Sequence, residues 1–109
     1  MHELSLVEDI LRIAGKESGG RTVTRVVLEV GALTCVTPEA LVFCFDSCKA
    51  AAALAQAQLI IERRAGVARC DQCGNEFEID ELYQPCACGS FDKDLLQGQE
   101  LRIISLELQ

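Results

Sequence analysis

Residues 70–88 read CDQCGNEFEIDELYQPCAC, and the placement of their four cysteines decides how the rest of the chain is divided. Cys70-x-x-Cys73 and Cys86-x-Cys88 are two short turns joined by the 12 residues from Gly74 to Pro85. Zinc needs four ligands at tetrahedral corners, and two cysteine turns on a loop of this length can deliver four thiolates. Gly74 and Gly89 each follow the second cysteine of a pair, where a residue able to take positive φ lets the chain turn and its amides point at sulfur. The stretch Glu76 to Tyr83, with Phe77, Ile79 and Leu82, is expected to form a short hairpin over the site. Four protein ligands leave no position for water, so such a site is structural rather than hydrolytic. Its contribution to folding would be on the order of ten kcal/mol.

Periodic segments lie on either side of this stretch, so it reads as an insertion and not as a tail. Leu4, Val7, Leu11 and Ala14, with Leu6, Ile10 and Ile13 beside them, show the three-and-four spacing of an amphipathic helix over residues 4–18, ended by Gly19-Gly20. From Arg21 to Val30 the period becomes two, with Val26, Leu28 and Val30 alternating with Arg25, Val27 and Glu29, and Gly31 breaks the run. Thr37-Pro38 opens a second helix whose Leu41, Cys44, Phe45 and Cys48 share a face, and the alanine-rich sequence after it carries the expectation on to about Ala57. Gln58 to Arg64 and Leu101 to Leu108 read as strands, the latter with a phase slip at Ile103-Ile104 that could mark a bulge. The expected fold is α/β: a small three-stranded sheet covered on one face by two helices, with an inserted zinc-ribbon-like domain. The boundaries that follow are residues 1–66 and 96–109 for the α/β domain and residues 67–95 for the insertion.

The 109 residues carry 17 acidic against 10 basic side chains, a formal charge of -7, and that balance argues against a nucleic-acid partner. Four zinc thiolates would make the charge more negative still. No apolar run reaches the roughly 20 residues that a membrane-spanning helix needs. The start, Met1-His2-Glu3, is acidic where a signal peptide is basic, so the expected location is the cytoplasm, where closely spaced cysteines bind metal more often than they pair as disulfides. Cys35, Cys44 and Cys48 follow apolar patterns and are expected as small core residues. With a single histidine, an enzyme has few general acid-base candidates near neutral pH, and no catalytic residue is assigned.

That histidine is His2. The amine of Met1, the amide and imidazole of His2 and the amide of Glu3 can form fused chelate rings about one ion, a planar nitrogen set that favours Ni(II) or Cu(II) over zinc. Glu8 and Asp9 read as a solvated helix face near the positive end of the helix dipole, and Arg63, Arg64 and Arg69 as charges that keep strand edges soluble.

Met1-His2-Glu3-Leu4-Ser5-Leu6, Val27-x-Glu29-Val30-Gly31-x-Leu33, Phe43-x-Phe45, the paired cysteines and the closing strand together resemble the HypA/HybF nickel metallochaperones of nickel-iron hydrogenase maturation. The resemblance implies a hydrogenase maturation factor that binds Ni(II) at His2, with main-chain nitrogens of Met1 and Glu3, and delivers it to the hydrogenase large subunit. It implies structural Zn(II) on Cys70, Cys73, Cys86 and Cys88. It also implies work with a maturation GTPase, HypB, and in some members with urease maturation proteins. The alternative that the residues leave open is a zinc-ribbon adaptor without nickel transfer.

Overall fold

The computed structural model describes residues 3–51 and 54–109, with the side chain of Ala51 left aside. Helix α1 (Glu3–Glu17) buries Val7, Ile10 and Ala14, whereas Leu4, expected in the same stripe, is half exposed and Leu11 half-buried. Strand β1 (Val23–Gly31) follows, then α2 (Pro38–Cys48) and a short 3-10 turn (Lys49–Ala51). Thr37 sits at the N-cap with extended backbone, φ -92° and ψ 117°, and Pro38 opens the helix, although the Thr37 hydroxyl makes no capping bond. Strands β2 (Gln58–Arg64), β3 (Gly66–Cys70), β4 (Glu76–Ile79), β5 (Lys93–Gln97) and β6 (Leu101–Leu108) complete the chain.

The strands form two sheets of three, ordered β2-β1-β6 and β4-β3-β5. The first is the expected sheet. In the second, β3 pairs antiparallel with β4 (Ala68 opposite Phe77) and with β5 (Ala68 opposite Leu95), with a register shift between Val67 and Ala68. The expected local hairpin over residues 76–83 is therefore replaced: β4 reaches back to β3, and residues 80–83 form a loop.

By internal contacts the chain divides into two compact units. The first comprises Met1–Leu28, Cys35–Glu62 and Arg102–Gln109. There α1 packs against α2, and Val7, Ile10, Val26, Leu28, Leu41, Phe45, Leu54 and Leu59 are buried. Each such large side chain contributes about 1.5–3 kcal/mol. The second comprises Glu29–Thr34 and Arg63–Leu101, with Val30, Ala68, Cys70, Ile79 and Cys86 buried. It holds four basic and nine acidic residues, so -5 of the chain's -7 resides there.

Within the first unit Gln109 N–H donates to Thr22 O at 2.9 Å, and within the second Gly31 N–H donates to Glu100 O at 2.7 Å. The burial pattern of β6 carries the phase slip, with Ile104 and Ser105 exposed in succession. β1 changes its buried face as well, at Thr24-Arg25, where two successive residues are exposed. Two further expectations need correction. Cys35 is exposed, in the bend that follows β1, and Cys44 and Cys48 are only half-buried. Arg64 is more than a soluble edge: its Nε lies 2.8 Å from Oε2 of the buried Glu29.

Candidate metal centre

Cys70 is the last residue of β3, so the sheet fixes the first sulfur directly. The chain then turns in a knuckle closed twice by backbone: Gly74 N–H donates to Cys70 O at 2.9 Å and Cys70 N–H donates to Asn75 O at 2.8 Å. The second knuckle repeats the scheme one residue shorter. Gly89 N–H donates to Cys86 O at 2.8 Å and Cys86 N–H donates to Ser90 O at 2.9 Å. This resolves how C-x-C replaces C-x-x-C: the shorter spacer is absorbed by the same closure around a tighter turn. Gly74 and Gly89 have φ of 76° and 92°, the left-handed region that other residues enter at a cost. Asp71 N–H donates to Asp92 O at 3.0 Å, tying the first knuckle to the chain that follows the second.

Four sulfurs converge. Cys70 Sγ is 3.6 Å from Cys88 Sγ, Cys73 Sγ is 3.6 Å from Cys86 Sγ, and all four lie within 4.8 Å of one another. A tetrahedron with metal–sulfur bonds of about 2.3 Å has edges of about 3.8 Å, so the cluster is already the size that a zinc ion requires. Each close pair joins one cysteine of each knuckle, so the two turns interlock. Cys70 and Cys86 are buried while Cys73 and Cys88 are exposed, which places the cluster at the unit's surface. No other group of three or more cysteine, histidine or carboxylate side chains is close enough to hold a metal among the described residues.

The electrostatics suit a cation. The backbone N–H of Cys73, aided by that of Gln72 and by the Cys88 and Cys73 thiols, outweighs burial and lowers Cys70 to about 6. At Cys73 the N–H of Asn75 pulls down, but the Cys86 thiol, burial and the other two cysteines together raise it to about 11. Cys88 behaves alike: the N–H of Ser90 lowers it, and Cys70, Cys86 and burial raise it above the usual thiol range. Without metal, the cluster therefore concentrates negative charge on Cys70 and keeps protons on Cys73 and Cys88. A divalent cation would displace those protons.

Of the other predicted site residues, Glu3 is the first residue of α1. Met1 and His2 lie outside the described residues. Cys35, Cys44 and Cys48 are not part of the cluster. The Glu29–Arg64 pair is the feature that the sequence reading missed; a glutamate between the apolar Leu28 and Val30 was its signal. No described helix is long and apolar enough to cross a membrane.

Comparison with known proteins adds an independent line. A family profile described as HypA, hydrogenase/urease nickel incorporation, metallochaperone, matches residues 1–108. A hydrogenase maturation factor HypA from Geotalea uraniireducens is 44% identical over 110 residues, covering 100% of both chains. One from Nostoc sp. is 38% identical over 109 residues, covering 100% of this chain and 96% of the relative. Among solved structures, the Ni metallochaperone HypA from Helicobacter pylori superposes with a TM-score of 0.69 at 24% identity, covering 99% of this chain and 97% of that one. A second HypA solution structure gives 0.68 at 25% identity, covering 100% and 97%. The chain belongs to the HypA family of hydrogenase maturation metallochaperones, which are not enzymes.

Proposed function

From that membership we propose that the protein binds Ni(II) at its N-terminus and delivers it for insertion into the large subunit of a nickel-iron hydrogenase. The ion is the cargo. His2 supplies an imidazole, and Met1 and Glu3 supply main-chain nitrogens. The N–H groups of a helix's first turn have no intrahelical carbonyl, so an amide at Glu3, the first residue of α1, can be given to a metal without breaking the helix. A planar nitrogen set leaves two open faces, through which thiolates of a recipient can take the ion by ligand exchange. In this reading residues 1–66 and 96–109 form the nickel-binding part and residues 67–95 the zinc-binding part.

The four cysteines fit Zn(II), and Cys70, Cys73, Cys86 and Cys88 would hold it. Zinc there would crosslink the two knuckles and add no reactive position. The maturation GTPase HypB and the hydrogenase large subunit are the proposed partners, with urease maturation proteins as a second outlet, in the cytoplasm. What carries this reading is the match of residues 1–108 to a nickel-incorporation family in a chain that begins Met1-His2-Glu3. Metal analysis after Ni(II) loading tests it. His2→Ala and an N-terminal extension that blocks the Met1 amine should each abolish stoichiometric nickel while retaining zinc; retained nickel in either sinks the assignment.

A further inference from the structure

Within the second unit, Leu33 and Thr34 line a groove of about 430 Å³ together with the loop Asp80–Tyr83. Its lining is of two kinds. Leu33, Leu82 and Tyr83 supply apolar and aromatic surface, with Tyr83 83% exposed and Leu82 45% exposed, and Asp80 and Glu81 supply carboxylates. Neither carboxylate has an ion-pair or hydrogen-bond partner among the described residues.

The loop is nonetheless tightly fastened. The Gln84 side chain accepts from Asp80 N–H at 3.0 Å and donates to Glu78 O at 3.2 Å, while Gln84 N–H donates to Glu81 O at 3.2 Å. The Lys93 ammonium donates to Leu82 O at 3.0 Å and to Phe91 O at 2.9 Å, which engages the neighbouring positive charge with backbone. The groove is thus preformed, and an occupant meets little ordering cost on the protein side.

We propose that this groove receives an arginine side chain presented by a basic segment of a partner protein. The chemistry of the lining selects that group. A guanidinium stacks on a tyrosine face, pairs with carboxylates in a fixed fork, and carries a methylene stem that covers leucine. A lysine ammonium lacks the plane and the fork. The charge of -5 on this unit draws basic segments toward it and repels phosphate backbones. The inference rests on the second unit alone and is independent of the nickel reading.

The test is an amide NMR titration of the full-length, metal-loaded protein with a blocked peptide GLRLRG and its glutamine and lysine versions. Shifts should concentrate at Leu33, Thr34 and Asp80–Tyr83, the glutamine peptide should not bind, and the lysine peptide should bind several-fold more weakly. Tyr83→Ala, and separately Asp80→Asn with Glu81→Gln, should weaken binding about 10-fold or more. Glu76→Gln with Glu78→Gln removes the same charge from β4 and should change affinity less than about two-fold. Equal weakening by that control pair, or binding of the glutamine peptide, overturns the proposal in favour of general charge attraction. Shifts of the same amides on concentrating the protein alone overturn it in favour of a second copy of this chain. Metal content measured on each variant shows whether the unit is intact.

Discussion

Arg64 Nε sits 2.8 Å from Glu29 Oε2, and the glutamate side chain is 7% exposed while the arginine side chain is 37% exposed. A carboxylate so far removed from water depends on its charged neighbour, because losing one partner of a buried pair costs more than the pair itself contributes. Arg64→Ala should lower unfolding free energy by about 2–4 kcal/mol. Glu29→Gln in the same background should recover part of the loss, as urea denaturation of the single and double variants would show. Arg64→Ala with unchanged stability contradicts the role assigned to the pair.

Gly98 has φ of 121°, and a Cβ there would stand 2.7 Å from Gly66 Cα and 3.0 Å from Leu33 Cδ1. Backbone conformation and sterics exclude a side chain together. Gly98→Ala should destabilise by at least about 2 kcal/mol, visible as a lower melting temperature and poor accumulation of folded protein. Gly20→Ala is the contrast, since a Cβ there meets nothing within 4 Å and only its φ of 89° resists substitution.

Cys73→Ala removes one sulfur of an interlocked set of four. Metal-linked folding energy on the order of ten kcal/mol is lost with the ion. The second unit should lose its order while the helical signal of α1 and α2 persists. Metal content and amide spectra of the variant decide it; stoichiometric zinc in Cys73→Ala would remove the cluster from the candidate sites.

Metal affinity should depend steeply on pH. Cys73, raised to about 11, and Cys88, also raised, carry protons near neutrality in the metal-free protein, whereas Cys70, lowered to about 6, does not. Binding to four thiolates expels at least two protons, so affinity rises with pH. Between about pH 6.5 and 8.5 the association constant should climb at least about 100-fold per unit, and below about 6 more steeply, as Cys70 also protonates. Chelator competition across that range measures the slope, and a rise of only tenfold per unit contradicts the proton inventory.

The elements with strong periodicity were legible. Leu4, Val7, Leu11 and Ala14 marked α1 to within a residue at each end, and the bounds of β2 and β6 match those read from Gln58–Arg64 and Leu101–Leu108. The run Ala50–Ala53 misled, because helix propensity carried the second helix toward Ala57 while α2 ends at Cys48. There Lys49 Nζ bonds Ala57 O at 2.9 Å and lies 3.3 Å from Asp46 Oδ1, contacts that no propensity anticipates. β3 and β5 escaped notice since five residues such as Gly66-Val67-Ala68-Arg69-Cys70 are too short for a clear period. The cysteine spacing located the cluster, but the backbone bonds that accommodate the shorter Cys86-x-Cys88 turn were visible only in three dimensions.

The segment Glu29–Thr34 belongs by its contacts to the unit otherwise formed by Arg63–Leu101, and β1 pairs with β6, which ends at Leu108. During synthesis, residues 29–34 therefore emerge some seventy residues before their last partners, a wait of several seconds at about 5–20 residues per second. The sheet that carries Cys70 cannot close before β5, which ends at Gln97, has been made, and until then Cys70 and Cys86 lack the folded structure that buries them. The making of β5, and not that of Cys88 itself, is therefore the step after which the cluster can take its folded form.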